Sequence, residues 1–322
     1  MYKPLLIILD PVKAPGTSFV RPLLLTLEQY YRVELHEYAP LGMVAPALAL
    51  ADILWVDWST EHAVLASKLN RLARKPLLVR LHSYEALDTD CIERIDWANV
   101  STCVAVSETI LGIAHERCAG MARCHVCVIE NGIDLHRFKV NYDQPGSRQA
   151  PKIAWVGDLA PKKDPALALR ILADFRRAGG EASLAFAGAW KSLRVRLHLL
   201  DLVAKLGLQD VVHFDGVVDD MPQWLADKDV LLSTSMFESF GYAIGEALAM
   251  GLDAVVLTYP GAERAWPADI LVCTSAEAVE RLQHVQKHRW TGYVAGRYAL
   301  VDQAKHMVAQ LQSMSASGHV GE

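Results

Sequence analysis

The chain is poor in several things, and each shortage removes a class of protein. No apolar stretch among its 322 residues is long enough to span a bilayer, since the longest strongly apolar run, 41–51, is interrupted by Gly42 and Pro46. Six cysteines are too few for a disulfide scaffold at this length, so a reducing, cytoplasmic setting is expected. There is no excess of base: 32 Lys and Arg stand against 37 Asp and Glu, a formal charge of −5 shared by both halves, which disfavours a dedicated nucleic-acid binder. No G-x-G-x-x-G follows any predicted strand, which disfavours a dinucleotide-dependent oxidoreductase. The N-terminus lacks the apolar stretch and small-residue cleavage site of a signal peptide and reads as a buried first strand. Repeats and low-complexity tracts are missing too. Peripheral attachment to a membrane stays open.

What is present is a regular alternation. Half of the residues (52%) are hydrophobic and 21% are charged, a globular balance, and the length suggests two domains. Short buried runs at 5–9, 33–36, 53–57, 77–82, 102–106 and 125–129 predict strands, with helical periodicity between several of them at 19–30, 61–74 and 108–118. A polar segment with Pro and Gly, 139–151, is the best linker. A second series follows, with strands at 153–156, 183–187, 211–214, 230–233, 254–257 and 270–272. Its helices are expected at 165–177, 193–206, 244–250 and 276–287, with a final helix at 297–312 and a frayed tail. Buried strands alternating with helices argue for parallel sheets covered on both faces. The economical α/β architecture is two Rossmann-like doubly wound domains facing across a cleft: an N-terminal domain at 1–140, a second at 151–290, and a C-terminal helix at 291–322 packing back on the first. Ligands of such sheets sit beyond the carboxyl ends of the strands.

The strongest chemical signal is LLSTSMFESFGYAIGEALAMG, residues 231–251. A buried strand ends, a loop follows, and a small-residue helix starts near Tyr242 or Ala243. Gly241 admits close approach of backbone to a ligand, and the first-turn amides with the helix dipole form an anion site. Two carboxylates flank it, Glu238 in the loop and Glu246 in the helix. Acids beside a phosphate site make sense when the ligand also carries sugar hydroxyls, which a carboxylate accepts in charge-assisted pairs.

Glu238-x7-Glu246 within FESFGYAIGEALAMG resembles the E-x7-E motif of retaining GT-B glycosyltransferases, the large family four. Further segments fall in the family's order: ENGIDLHRF at 130–138, WVGDLAPKKDPALAL at 155–169, and FDGVVDDMPQWLADKDVLLSTSMFE at 214–238. The resemblance covers most of 125–265 and implies the GT-B fold. It implies a retaining transferase that moves a sugar from a nucleotide-diphosphate donor, expected to be a UDP-sugar, to an acceptor hydroxyl in cell-surface glycan or glycoconjugate synthesis. Glycans, glycolipids and small molecules are the acceptor classes; no metal or other cofactor is expected. On the same resemblance Glu238 contacts donor-sugar hydroxyls, Glu246 holds the ribose hydroxyls, and the backbone of Ser239, Phe240, Gly241 and Tyr242 binds the pyrophosphate and outer sugar hydroxyls. Lys163, with Lys162 as a fallback, supplies charge to the leaving phosphate, and the peptide edges near Val218 read the base.

Two departures stand out. Asp158 occupies the place of the family's usual Arg, and Asp164 that of the Gly after the Lys, which should weaken diphosphate binding unless another base substitutes; Arg194, Arg264 or a first-domain residue are the candidates. TYPGAER also differs from the expected G-G-x-P-E, with Glu263 keeping an acidic position. A catalytically inactive nucleotide-sugar binder and a sugar-nucleotide epimerase are the alternatives.

Weaker signals lie in the first half. His82, at a predicted strand end, is expected to point into the cleft, where the family's His lies near donor sugar and acceptor; Arg80 reads as structural. Gly16 follows the first strand where the family meets the donor phosphates. His115, Cys118, Cys124 and Cys127 imitate a metal cluster, but cysteines three apart on a strand face opposite sides, which disfavours it. Asp88 and Asp90, like Asp219 and Asp220, read as helix caps. Most of the eight tryptophans read as core, with Trp58 and Trp190 in strand-end loops as exceptions.

Overall fold

A computed structural model describes residues 2–11, 19–140 and 150–317. It divides into two units, one of Met1–Gly132 with Leu300–Glu322 and one of Ile133–Ala299. The division therefore falls at Gly132 and Leu300 rather than at 140 and 290, and most of the expected linker, 141–149, lies outside the described residues.

The first unit runs β1 (Leu5–Asp10), α1 (Leu24–Tyr30), β2 (Arg32–Glu37), α2 (Val44–Leu50), β3 (Ile53–Asp57), α3 (Glu61–Ala73), β4 (Leu77–Leu81), α4 (Ser83–Asp88), α5 (Cys91–Arg94), β5 (Thr102–Ala105), α6 (Glu108–Arg117) and β6 (His125–Val128). All neighbouring strands pair in parallel in the order β2-β1-β3-β4-β5-β6. The order reverses between β1 and β3, a topological switch point. β1, β3, β4 and β5 are buried along their whole lengths, as a sheet covered on both faces requires.

The second unit continues with β7 (Lys152–Val156), α7 (Pro165–Arg177), β8 (Ser183–Ala187), α8 (Leu193–Leu206), β9 (Val212–Gly216), α9 (Met221–Leu225), β10 (Val230–Ser233), α10 (Tyr242–Ala249), β11 (Asp253–Leu257), α11 (Ala262–Ala265), β12 (Leu271–Val272), α12 (Ser275–Leu282) and α13 (Thr291–Arg297). Its parallel sheet has the order β12-β11-β10-β7-β8-β9, which reverses between β7 and β10. Alternation along β7 splits the core: Ile153 and Trp155 pack with Leu172, Leu184 and Phe186 on one face, Ala154 with Leu231, Ile244 and Leu248 on the other.

Three expectations need correction, and one apolar run that had no expected element acquires one. The apolar run 41–51 holds a helix, α2, with Pro46 in its first turn, where a missing N–H costs nothing. α1 begins at Leu24 rather than 19, after a short 3-10 turn. α12 stops at Leu282 rather than 287, because the following chain turns so that the Gln286 amide donates to Asp253 Oδ2 at 2.7 Å. The helix expected at 297–312 is α14 (Leu300–Ser317), which starts three residues later and follows a separate helix, α13. The Tyr298 carbonyl accepts the Ile133 amide at 2.7 Å and its ring is buried against Phe240 and Trp266, so this residue cannot continue a helix. α14 lies against α1 of the first unit, burying Met307 and Leu311.

Candidate functional site

At the switch point of the second unit, the loops after β7 and β10 are locked together. Thr234 Oγ1 lies 2.9 and 2.8 Å from the carbonyl oxygens of Lys163 and Asp164 and accepts from Trp155 Nε1 at 3.0 Å. The Met236 amide donates to the Lys162 carbonyl at 2.9 Å. Backbone crowding fixes the residue type beside them: a Cβ on Gly188 would stand 1.8 Å from the Gly157 oxygen, at a φ of +152° that side chains avoid. Nothing but glycine fits, and the ends of β7 and β8 close on one another without side chains.

Beside this floor the structure brings two of the expected residues together. The Lys163 stem runs past Gly157, 3.5 Å from where a Cβ would be, and its ammonium pairs with the Glu238 carboxylate, both groups partly exposed. α10 starts from Gly241, whose left-handed backbone (φ 87°) aims the first-turn amides of the helix out of its N-terminus. Glu246 lies one turn into α10, half-buried; burial pushes its carboxyl up to about 7, against the opposing pull of Arg137. Val218 is half-buried just beyond the end of β9. Ser239 and Tyr242 flank the helix start, whereas the Phe240 ring is core, packed on Trp266 and Tyr298, so only its backbone faces a ligand role.

The two departures have local solutions. Asp164 adopts the left-handed conformation (φ 42°) that a glycine would take, and its carboxylate accepts the Leu167 amide at 3.1 Å as the N-cap of α7. Asp158 pairs with Lys191 at 3.1 Å. Lys191 had no motif to mark it. Its one sequence signal is its place in the loop after β8, at the same sheet edge.

The matching edge of the first unit is built differently. Asp57 closes β3 and is fully buried; Trp55 Nε1 donates to its Oδ1 at 3.3 Å and Arg80 Nη1 to the same atom at 3.4 Å. Arg80 also donates to Asn131. Burial pushes the Asp57 carboxyl up, but Arg80 and His82 outweigh it and hold it below its ordinary value. His82 does not face open space: it is 3% exposed, stacked beneath Trp58 at 4.1 Å and near Phe19 at 5.4 Å, with Nε2 3.8 Å from Asp57 Oδ2. The expectation of an accessible His82 is thus corrected, because the Trp58 indole, held at a φ of +82°, covers it. Burial lowers the His82 pKa against the pull of Asp57 and lifts Glu85 to about 8, although Glu85 Oε2 accepts the His82 amide at 3.2 Å. Asp57 Oδ2, Trp58 Nε1, Arg80 Nε, His82 Nε2 and Glu85 Oε1 have no hydrogen-bond partner among the described residues. Gly16 lies outside the described residues.

The remaining candidates separate. Cys118, Cys124 and Cys127 spend their thiols on the Ile92 carbonyl, the Met121 carbonyl and Gln310. Asp220 caps α9 through the Gln223 amide at 3.1 Å. Asp90 makes no side-chain cap, contrary to expectation; it pairs with Arg94 at 3.3 Å. Among the described residues Glu61, Asp90 and Cys91 come close enough for a metal, but Arg94 already pairs with both acids. Trp190 lies against Phe214 and under Arg196.

Comparison with known proteins agrees with this geometry. Residues 150–287 match the profile of the family described as glycosyl transferases group 1. Among solved structures, the chain is similar to Anabaena HepE in complex with UDP (TM-score 0.76, 18% identity, 96% of this chain and 99% of that one). It is also similar to sucrose-phosphate synthase from Thermosynechococcus elongatus (0.77, 14%, 98% and 100%) and to the lipopolysaccharide outer core galactosyltransferase WaaB (0.72, 16%, 96% and 99%). No curated protein matches the sequence. Two six-stranded parallel sheets with flanking helices are the GT-B fold of these structures. The family match covers residues 150–287, and the fold likeness covers nearly the whole chain.

Proposed function

We propose that the chain is a retaining glycosyltransferase that takes its sugar from a UDP-sugar and passes it to an acceptor hydroxyl in the synthesis of a cell-surface glycan or glycoconjugate. The observation that carries this reading is the Lys163–Glu238 ion pair on the glycine floor at the β7/β10 switch point, in the loop that leads into α10. A structural neighbour that binds UDP and glucose adds to it. In this reading the amides around Ser239–Tyr242 and the Lys163 ammonium bind the diphosphate, Glu246 accepts the ribose hydroxyls, and the base lies against the backbone at Val218. Glu238, drawn off Lys163 as the phosphate arrives, accepts donor-sugar hydroxyls.

Departure of the diphosphate leaves an electron-poor anomeric carbon, and the acceptor oxygen bonds to it on the face the phosphate left. The leaving phosphate takes the acceptor's proton, so no protein base is required. Lys163 and the helix dipole then act by stabilising charge that grows on the leaving group. The first unit supplies the acceptor surface, and no metal is required. A thermal-shift series with nucleotide sugars tests donor choice, because a ligand bound only by the folded chain raises its melting temperature by mass action. Proton NMR of the product reads the anomeric configuration; an inverted product excludes retention, and no response to any UDP-sugar excludes the donor.

A further inference from the structure

The edge of the first unit's sheet where the strands begin lies opposite the switch point and has a character of its own. α2 and α3 end there, each leading into the next parallel strand. Three large side chains on it are strongly exposed: Tyr2 at 80%, Leu50 at 69% and Leu72 at 87%. Two hydrogen bonds tie neighbouring segments of this edge together. The Tyr2 hydroxyl donates to Asp52 Oδ2 at 2.8 Å, and Lys75 Nζ, beside the end of α3, donates to the Ala51 carbonyl at the end of α2 at 3.0 Å. Asp52 is already engaged, its Oδ2 also accepting the Leu5 amide at 2.8 Å.

Cations surround those apolar tips. Arg71 and Arg74 are exposed, and Arg74 ends α3 in a left-handed conformation (φ 51°). Arg74, Lys75 and His125 then line a cavity of 680 Å³ whose remaining polar lining is Ser101, Thr102, Gln310 and Ser313, with no carboxylate. At the opposite edge the acids are matched by the chain's own cations, Glu37 by Arg21, Asp57 by Arg80 and Glu61 by Arg94. The strand-start edge thus leaves cations exposed although the chain as a whole is acidic.

Exposed leucines alone are ordinary surface. Leucine and tyrosine tips set among arginine and lysine form a surface of different chemistry: the tips enter the acyl boundary while the cations meet lipid phosphates. We propose that this strand-start edge docks on an anionic membrane, with the cavity at Arg74, Lys75 and His125 receiving a lipid phosphate headgroup. The proposal stands apart from the donor reading, whose residues lie in the second unit.

The test is co-sedimentation of the full chain with vesicles of phosphatidylcholine alone and of phosphatidylcholine mixed with phosphatidylglycerol, at low salt. Binding is expected to the mixed vesicles and to weaken as salt is raised. The double variant Arg71→Ser, Arg74→Ser should lose about 25-fold, at about fivefold per cation. Leu72→Ser should lose about tenfold through its lost apolar burial. Leu25→Ser, at the other end of α1 and 81% exposed, should bind like the parent. Equal binding to both vesicles, binding to neither, or undiminished binding by the double arginine variant overturns the proposal. UDP binding by the double arginine variant, equal to the parent's, shows that the fold is intact. A chain that sediments with phosphatidylglycerol but binds no UDP fails the donor reading alone.

Discussion

The two units present the same edge of the same kind of sheet and finish it in opposite ways. In the second, glycines at the ends of β7, β8 and β9 and at the start of α10 leave a floor without side chains, Glu238 and Lys163 stand partly open beside it, and Glu246 is half-buried one turn into α10. In the first, the edge is filled by the chain's own polar groups, Asp57, Arg80, His82 and Glu85, closed over by Trp58. A doubly wound sheet thus offers a place for a ligand without obliging the chain to leave it open; the residues at the strand ends decide. An open edge should answer substitution with lost binding or turnover, a filled edge with lost stability.

The largest effect tests the filled edge. Arg80→Ala leaves the fully buried Asp57 without its cation and should cost about 3–5 kcal/mol in denaturant unfolding. Unchanged stability would erase the contrast. At the open edge, Glu238→Ala should cut turnover about a hundredfold or more while secondary structure and melting temperature hold, since losing one preorganised contact costs about 3 kcal/mol of transition-state stabilisation. A collapse of folding instead would make the two edges alike.

A smaller effect is expected at Glu246. Its carboxyl titrates near 7, and only the ionised form accepts two hydroxyls, so UDP affinity measured by calorimetry should rise as pH goes from 6 to 8. Glu246→Gln should flatten that dependence and weaken binding about tenfold at the upper end. The last effect is one of sign and belongs to Glu85→Gln, because Glu85, with its pKa raised to about 8, must take up a proton on folding at neutral pH, which Gln need not do. The sign is set by that raised value: the stability Glu85 contributes is complete below its unfolded value and is lost as pH rises through about 8. The Gln variant should therefore match the parent only in acid, below about pH 4.5, and exceed it increasingly from there to about pH 8, where the difference levels off.

Much of this was legible beforehand, for identifiable reasons. Runs such as LLIIL and ILWVD are apolar throughout because both faces of a parallel sheet are covered, so they declare themselves without any partner in view. Glu238, Gly241 and Glu246 fall within a single strand–loop–helix segment, so their spacing in sequence is close to their spacing in space. His82 misled because its place at a strand end is local, whereas the indole that covers it comes from the neighbouring strand end. Lys191 and Asp158 lie in different loops, and no local pattern joins them.

The amino-acid order alone determined the strands, most of the longer helices and the glycine-led anion helix, because backbone propensity and burial periodicity act over a few residues. Strand order did not follow from it, nor did the switch points, the break at Tyr298 or the contrast between an open and a filled edge. Those depend on contacts between residues far apart in the chain, whose energies exist only once the sheets have assembled and brought Gly157 to Gly188, Lys163 to Glu238 and Trp58 to His82.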